Sequence, residues 1–267
     1  NKLSNLLSIV SSFFLKINNF FLLLGDIYSF GIINKYYIYL IMFLNDKNID
    51  KYYYIWLIIM FMLVSSIIIV GGLTRLTDSG LSITKWELFK GFLPPLSKNE
   101  MDNYFSLYKQ IPEYKLQNYS MSLNEFKIIF WWEWFHRFLG RLIGLFFMIP
   151  LIYFAFRQGF KRTKPLFLIF ILICFQGFIG WFMVSSGLVD RVDVSHFRLS
   201  LHLTIAFIIL SLILWQILKH KKILNNNDQF ISYNLPFIFL FFVYIQIIVG
   251  AFVSGMDAGK IYNTWPL

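Results

Sequence analysis

Five apolar runs, each about 20 residues long, constrain the fold of this chain more than any other feature. They predict helices over 52–72, 128–156, 165–186, 199–218 and 235–254. An α-helix of this length spans a bilayer and satisfies its own backbone polar groups, which hydrocarbon cannot do. Only 14% of the 267 residues are charged, against about 25% in soluble domains. The sequence therefore predicts an all-α, polytopic membrane helical bundle.

Basic residues are concentrated in some connections between these helices. Four lie in 157–165, three lie in 219–222, and Lys47 and Lys51 precede the first helix. The long segment 73–127 has seven basic and six acidic residues, which nearly balance. By the positive-inside rule, the basic regions share the matrix or cytoplasmic side and segment 73–127 lies opposite, on the outer side. The net charge of +10 is thus a signal of topology in a lipid bilayer, and we expect no nucleic acid partner.

Within the outer segment, residues 97–114 carry apolar side chains at helical spacing. The apolar face consists of Met101, Tyr104, Phe105 and Tyr108. We expect a short amphipathic helix that lies over the outer mouth of the bundle. It would act either as a substrate lid or as a simple cover for the helix ends.

Residues 69–86 and 248–265 form an internal repeat, with six of eighteen positions identical. Each copy ends an apolar helix on the same side, so the repeats are predicted to be parallel. The pattern predicts a first four-helix half over 52–222, and a linker with the first helix of a second, incomplete half over 223–267. We expect about eight spans in the natural protein. For residues 1–51, a targeting segment, a lipid-surface segment and an extra span all stay open.

Glu133, His136 and Arg137 lie inside the apolar stretch 131–154. Ionisable groups at such a depth are costly and usually mark a functional site. His202 lies in another apolar stretch, and each histidine is predicted a few residues into a helix that runs inward from the outer side. The two imidazoles therefore share a depth and suit the two axial positions of one haem iron. For either histidine alone, an interfacial side chain bonded to a neighbour is the alternative.

Glu133, His136 and Gly140 fall on one helical face. The carboxylate is therefore predicted to look into the same cavity as the imidazole. Gly140 and Gly144 would let a flat macrocycle approach closely, although helix packing alone also explains them.

Four arginines near the outer side suit carboxylates by bidentate hydrogen bonding. Arg137 and Arg141 are predicted on a face away from Glu133, and Arg75 and Arg198 lie at the outer ends of the first and fourth helices. The carboxylates of haem propionates are the candidate ligands. Anchoring to lipid headgroups is the alternative for each arginine.

Several blocks, in order along the chain, resemble one known family. They are GGLTRLTDSGLSITKW (71–86), PP (94–95), YKQIPEYK (108–115), EFK (125–127), EWFHRFLGRLIG (133–144), CFQGFIGWFMVSSGL (174–188), FRLSLHL (197–203) and GAFVSGMDAGKIYNTWP (250–266). Together they resemble haem A synthase of the mitochondrial and alphaproteobacterial type, over about 52–267. The bacterial subtype with a cysteine pair in the first outer loop is not matched, because segment 73–127 has no cysteine.

The resemblance implies an eight-helix enzyme made of two four-helix halves, each with a histidine pair. Such an enzyme converts haem O to haem A by oxidising a ring methyl to a formyl group, with oxygen taken from water. His136 and His202 match the iron ligands of the N-terminal half, which is the substrate site, and Glu133 matches the catalytic glutamate. The C-terminal half holds a haem b cofactor, and its histidines have no counterpart in this sequence.

The same resemblance implies haem O as substrate and an electron acceptor as partner. Haem O synthase and cytochrome oxidase assembly factors are further expected partners. The mitochondrial inner membrane is the expected location, with a bacterial plasma membrane as the alternative. On the residues alone, two rival classes stay open. One is a membrane di-haem cytochrome b-type electron-transfer protein, which needs the histidines but not Glu133, and the other is a transporter built on parallel repeats.

Overall fold

Long apolar helices make up most of the chain. The computed structural model describes residues 48–87, 90–221 and 234–261. Its helices are α1 (Ile49–Leu76), α2 (Lys98–Tyr108), α3 (Pro112–Leu116), α4 (Leu123–Gln158), α5 (Phe160–Asp190), α6 (His196–His220), α7 (Asn234–Gly255) and α8 (Ala258–Ile261), with a 3₁₀ turn at Lys90–Phe92. Five of them, α1 and α4 to α7, are long and apolar enough to cross a membrane. The predicted all-α polytopic fold is confirmed.

Each long helix extends beyond the apolar run that predicted it. In α4, Ser122 accepts a hydrogen bond from the backbone of Glu125, whose side chain accepts one from the backbone of Ser122. This capping box starts the helix five residues before the predicted boundary. Gly159, with φ of +83°, ends α4 and begins α5. Glycine adopts that conformation without steric cost, so the two helices join with a single residue between them.

The described residues from Tyr53 onward pack as one compact unit, and 49–52 form the described start of α1 in the preceding unit. Helices α4, α5, α6 and α7 are neighbours in chain order. Helix α1 is fixed to α4 because the Trp56 indole N–H donates to the Phe146 carbonyl at 2.9 Å. The bundle interior includes the fully buried side chains of Leu57, Met60, Phe147, Leu151, Leu166, Ile169 and Ile213. In lipid such close packing, not expulsion of water, holds helices together.

The outer segment covers one end of the bundle. Helix α2 packs on α4 and α3 packs on α5. Their contact forms an outer cluster of buried residues: Leu81, Ile83, Met101, Phe105, Tyr108, Ile111, Phe126, Ile129, Phe130 and Val194. The predicted amphipathic helix is confirmed as α2, but it ends at Tyr108. A separate helix, α3, starts at Pro112, because proline is favoured in the first turn of a helix and not in its interior.

Both copies of the repeat make the same turn after a long helix. Asp78 follows α1 with φ of +47°, and Asp257 follows α7 with φ of +51°. In the described part of the chain, these are the only non-glycine residues with positive φ. The repeat in sequence is therefore also a repeat in backbone conformation. The division into halves at 222 and 223 stays a prediction, since those residues lie outside the described ranges, as do residues 1–47.

Candidate active site between the helices

His136 lies on α4 and His202 on α6, and both rings face the interior of the helix bundle. The Nδ1 atom of each ring is buried and has no hydrogen-bond partner among the residues that the structure describes. Each ring packs against a glycine of a neighbouring helix. A Cβ added at Gly71 of α1 would lie 3.0 Å from Cε1 of His136, and one at Gly180 of α5 would lie 3.2 Å from Cε1 of His202. Four helices, α1, α4, α5 and α6, thus form the site around the two imidazoles.

The prediction that His136 lies only a few residues into its helix is wrong. Helix α4 begins at Leu123, so His136 is more than three turns from its start. His202 is less than two turns from the start of α6. The first turns of α4 instead pack against the outer segment, through Phe126, Ile129 and Phe130.

The Glu133 carboxylate is 4% exposed and accepts four hydrogen bonds from the protein. Its Oε2 accepts from the hydroxyl of Ser82 and the backbone N–H of Ile83, both at 2.7 Å. Its Oε1 accepts from Nε of Arg137 at 3.0 Å and from Nη2 of the same side chain. The carboxylate therefore joins α4 to the loop that follows α1.

The prediction that Arg137 lies on a face away from Glu133 is wrong, because the two side chains form an ion pair. Residues four apart are neighbours on a helix. Nη2 of Arg137 also donates to the Ile83 carbonyl at 2.8 Å. The guanidinium lies over the ring of Trp86, 5.2 Å from its centroid. Arg137 thus completes the link between α4 and the loop.

A small cationic pocket lies beside this link on the outer side. Its lining residues are Ile83, Lys85, Glu87, Gly91, Tyr104, Phe130, Trp134, Arg137 and Arg141. Nη2 of Arg141 donates to the Glu87 carbonyl at 2.9 Å, which holds the guanidinium at the pocket wall. The indole N–H of Trp134 is buried and has no partner among the described residues. Cations and a spare N–H donor around one space suit an anionic group.

The other two predicted arginines, Arg75 and Arg198, bind side chains of the protein itself. Arg75 forms ion pairs with Asp78 at 3.4 Å, Asp193 at 2.8 Å and Asp257 at 3.1 Å. Arg198 donates to the hydroxyl of Ser186 and lies 4.3 Å from the centroid of the Phe182 ring. That either arginine binds a propionate stays a prediction.

Sequence reasoning missed several residues of the site. It considered Gly140 and Gly144, but a Cβ at Gly140 would meet only Ile67 at 3.7 Å and one at Gly144 would meet nothing within 4 Å. The glycines that face the rings are Gly71 and Gly180. A second omission is Gln176, one turn before Gly180, whose amide donates to the His202 carbonyl at 2.8 Å.

Residues 54–267 match the COX15-CtaA family, described as cytochrome oxidase assembly protein. The chain is 54% identical over 231 residues to the haem A synthase of Pelagibacter ubique (strain HTCC1062), covering 84% of this chain and 67% of that protein. It is 50% identical over 216 residues to the haem A synthase of Maricaulis maris (strain MCS10), covering 79% and 63%.

The chain belongs to the haem A synthase family. A third member, from Rickettsia bellii (strain OSU 85-389), is 46% identical over 228 residues. The chain spans between 63% and 67% of the length of these three relatives. No solved structure matches it. The resemblance seen in the sequence blocks is thus confirmed, and five described helices of this chain are long and apolar enough to span a membrane.

Proposed function

We propose that this protein acts in the conversion of haem O to haem A; its relatives are named haem A synthase. The observation that carries the proposal is the pair His136 and His202. Their Nδ1 atoms are buried with no partner in the described part of the chain, and each ring packs against a glycine of a neighbouring helix. Such histidines are costly in a membrane unless a ligand uses them.

Haem fits these residues better than a bare metal ion does. In the described ranges, no group of three or more His, Cys, Asp or Glu side chains is placed to hold a metal. Two imidazoles suit a haem iron, because the porphyrin supplies its other four ligands. His136 and His202 would then be the axial ligands of the haem substrate. A haem b cofactor belongs, by family resemblance, to the second half.

The cationic pocket would hold the propionate end of that substrate. Arg137 and Arg141 supply guanidinium groups, Lys85 supplies an ammonium, and Trp134 supplies the spare N–H. Charge-assisted hydrogen bonds of this kind fix orientation as well as affinity. Arg137 also forms an ion pair with Glu133. Propionate binding and the position of the Glu133 carboxylate would therefore depend on the same side chain.

Glu133 is the proposed catalytic residue. The reaction removes four electrons and four protons from a methyl group and one water, and leaves a formyl group. The electrons pass to a redox acceptor such as a second haem. A fixed carboxylate beside the ring would stabilise positive charge that develops there, or position the water. The arrangement is preorganised, since Ser82, Ile83 and Arg137 hold both oxygens.

Haem ligation is tested by His136→Ala and His202→Ala, with His196→Ala as the matched control. His196 is on the same helix as His202, but its ring packs on Phe252 away from the site. Reduced-minus-oxidised spectra of the purified protein should lose a low-spin bis-histidine signal in the first two variants only. Unchanged haem content and spectra in both would contradict the ligand assignment.

Product analysis separates the proposed enzyme from its rivals. Extracted haem should contain haem A, or an alcohol intermediate, when haem O is supplied. A haem-loaded protein that never changes haem O would instead be the di-haem cytochrome b-type electron carrier. A protein that binds no haem would leave the transporter as the remaining class.

We propose the mitochondrial inner membrane as the location of the protein, with a bacterial plasma membrane as the alternative. Fractionation of the source cells decides between them.

A further inference from the structure

A buried carboxyl group in the outer segment has no role in the site described above. Glu113, on α3, is 4% exposed. Its Oε1 accepts hydrogen bonds from the Tyr108 hydroxyl at 3.1 Å and the Asn118 amide at 3.4 Å. Its Oε2 is buried and has no partner among the described residues. In the described chain Glu113 forms no ion pair, unlike Glu133.

The surroundings of Glu113 favour its neutral form. The pKa of Glu113 is raised to about 8, and burial is the largest cause. The hydrogen bond from Tyr108 lowers this pKa, while the charges of Glu133, Asp193 and Asp78 contribute to raising it. An unpartnered Oε2 is where the proton of a neutral carboxyl group would sit. Glu113 can therefore hold and release a proton near neutral pH.

Glu113 lies between the site and the outer surface. It is close enough to Glu133 for their charges to repel each other. Ile83 and Ile129 belong to the outer cluster beside Tyr108. Both residues adjoin the Glu133 carboxylate: the Ile83 N–H donates to Glu133 directly, and Ser82 hydrogen-bonds to both Glu133 and the Ile129 carbonyl.

On its other side, Glu113 lies close to the solvent-exposed surface. Asn118, which donates to both Glu113 and the Tyr108 hydroxyl, is only half-buried. Its neighbours Gln117 and Tyr119 are exposed. One amide therefore separates the buried carboxyl group from the outer aqueous phase.

We propose that Glu113 is a proton relay that takes up protons released at the Glu133 site and passes them, beside Tyr108 and Asn118, to the outer side. This rests on the proposed function, which supplies the protons. Oxidation of a methyl group and water to a formyl group releases four protons, while four electrons leave to the redox acceptor. Glu133 is a poor carrier for them, because its oxygens are already bound by Arg137, Ser82 and Ile83. A neutral Glu113 gives its proton outward, and the carboxylate that remains accepts the next one from the site.

The test compares Glu113→Gln with Glu100→Gln in the haem-loaded protein. Glu100 is the matched control, because it lies in the same outer segment and glutamine preserves its capping box. Haem A formed per bound haem is measured from about pH 6 to about pH 9. Loss of a general acid–base group typically costs about 100- to 10,000-fold in rate. We expect a loss of that order in Glu113→Gln, with haem content unchanged and with the limb of the pH profile near 8 abolished.

A second variant decides the matter if Glu113→Gln fails to fold. Tyr108→Phe keeps the buried ring and removes only the hydroxyl that lowers the pKa of Glu113. Its turnover profile should shift to higher pH. A profile equal to that of the parent in Tyr108→Phe, or parental turnover in Glu113→Gln, would overturn the relay. If the parent itself forms no oxidised haem, it is the proposed function that fails, not the relay alone.

Discussion

Asp257 repeats the left-handed backbone conformation of Asp78, and both carboxylates pair with the same guanidinium, that of Arg75. The two aspartates occupy equivalent positions of the internal repeat. Arg75 has no equivalent in the second copy, where Ser254 stands, and the carbonyl of that serine accepts from Arg75 at 2.9 Å. Arg75 therefore fastens the outer end of α1 to the outer end of α7.

Replacing Arg75 should destabilise the protein. Its side chain is 12% exposed, while those of its three partners are 36% to 57% exposed. Loss of a buried partner costs several kcal/mol, but exposed pairs are worth little. We expect Arg75→Gln to lose about 1–3 kcal/mol, seen as a lower Tm in detergent. Arg191→Gln, at an exposed position, is the control, and equal Tm values for the two variants would contradict the role of Arg75.

Methyl groups added at the two site glycines should disturb haem binding. Gly71→Ala and Gly180→Ala place a Cβ within 3.0 and 3.2 Å of the His136 and His202 rings. The rings must then move from the positions that suit axial ligation. The controls are Gly72→Ala and Gly177→Ala, where the same change meets nothing within 4 Å. We expect altered or weakened low-spin spectra in the first pair only; indistinguishable spectra in all four would show that the glycines do not position the ligands.

Glu133→Gln should separate chemistry from binding. The amide keeps the shape of the carboxylate but removes the charge that binds Arg137. Removing one well-placed electrostatic group costs about 100- to 1000-fold in rate. We expect such a loss in haem A formed per bound haem, with normal haem content. Glu125→Gln, which preserves a capping box on the same helix, is the control. Near-parental turnover would leave Glu133 as a structural link, and lost haem would make it part of the pocket.

The outer segment should be accessible from the intermembrane space or periplasm. Ser97 caps α2, so exposed Asn103 is a safer site for a cysteine. In a Cys174→Ser background, Asn103→Cys should react with an impermeant thiol reagent from the outer side. Lys161→Cys, in the basic first turn of α5, should react only from the inner side. The reverse pattern would invert the topology.

Stability should fall as pH rises through the window set by Glu113. Its pKa is raised from 4.5 to about 8, so between these values the folded state holds one more proton than the unfolded state. Stability then decreases with rising pH across that window. The Tm of the parent in detergent should show this decrease more steeply than that of Glu113→Gln. Parallel Tm curves from about pH 5 to about pH 9 would mean that Glu113 titrates alike in both states.

Much of this protein is determined by its sequence alone. The five spanning helices follow from runs of apolar residues, and the repeat follows from matched letters at 69–86 and 248–265. The pairing of His136 with His202 follows from two costly imidazoles in apolar stretches. These are local signals, since hydrocarbon penalises each unpaired polar group wherever it lies.

The details of the site were decided by tertiary structure. The hydrogen bond between Ser82 and Glu133 joins residues 51 positions apart, and helical periodicity within α4 says nothing about such a partner. The same holds for Gly71 and Gly180, which matter only because other helices bring histidines against them. Glu113 reads as an ordinary surface residue in sequence, and it is buried because α3 packs on α5. Periodicity fixes which face of a helix a residue occupies, but only the packing of helices fixes what that face meets.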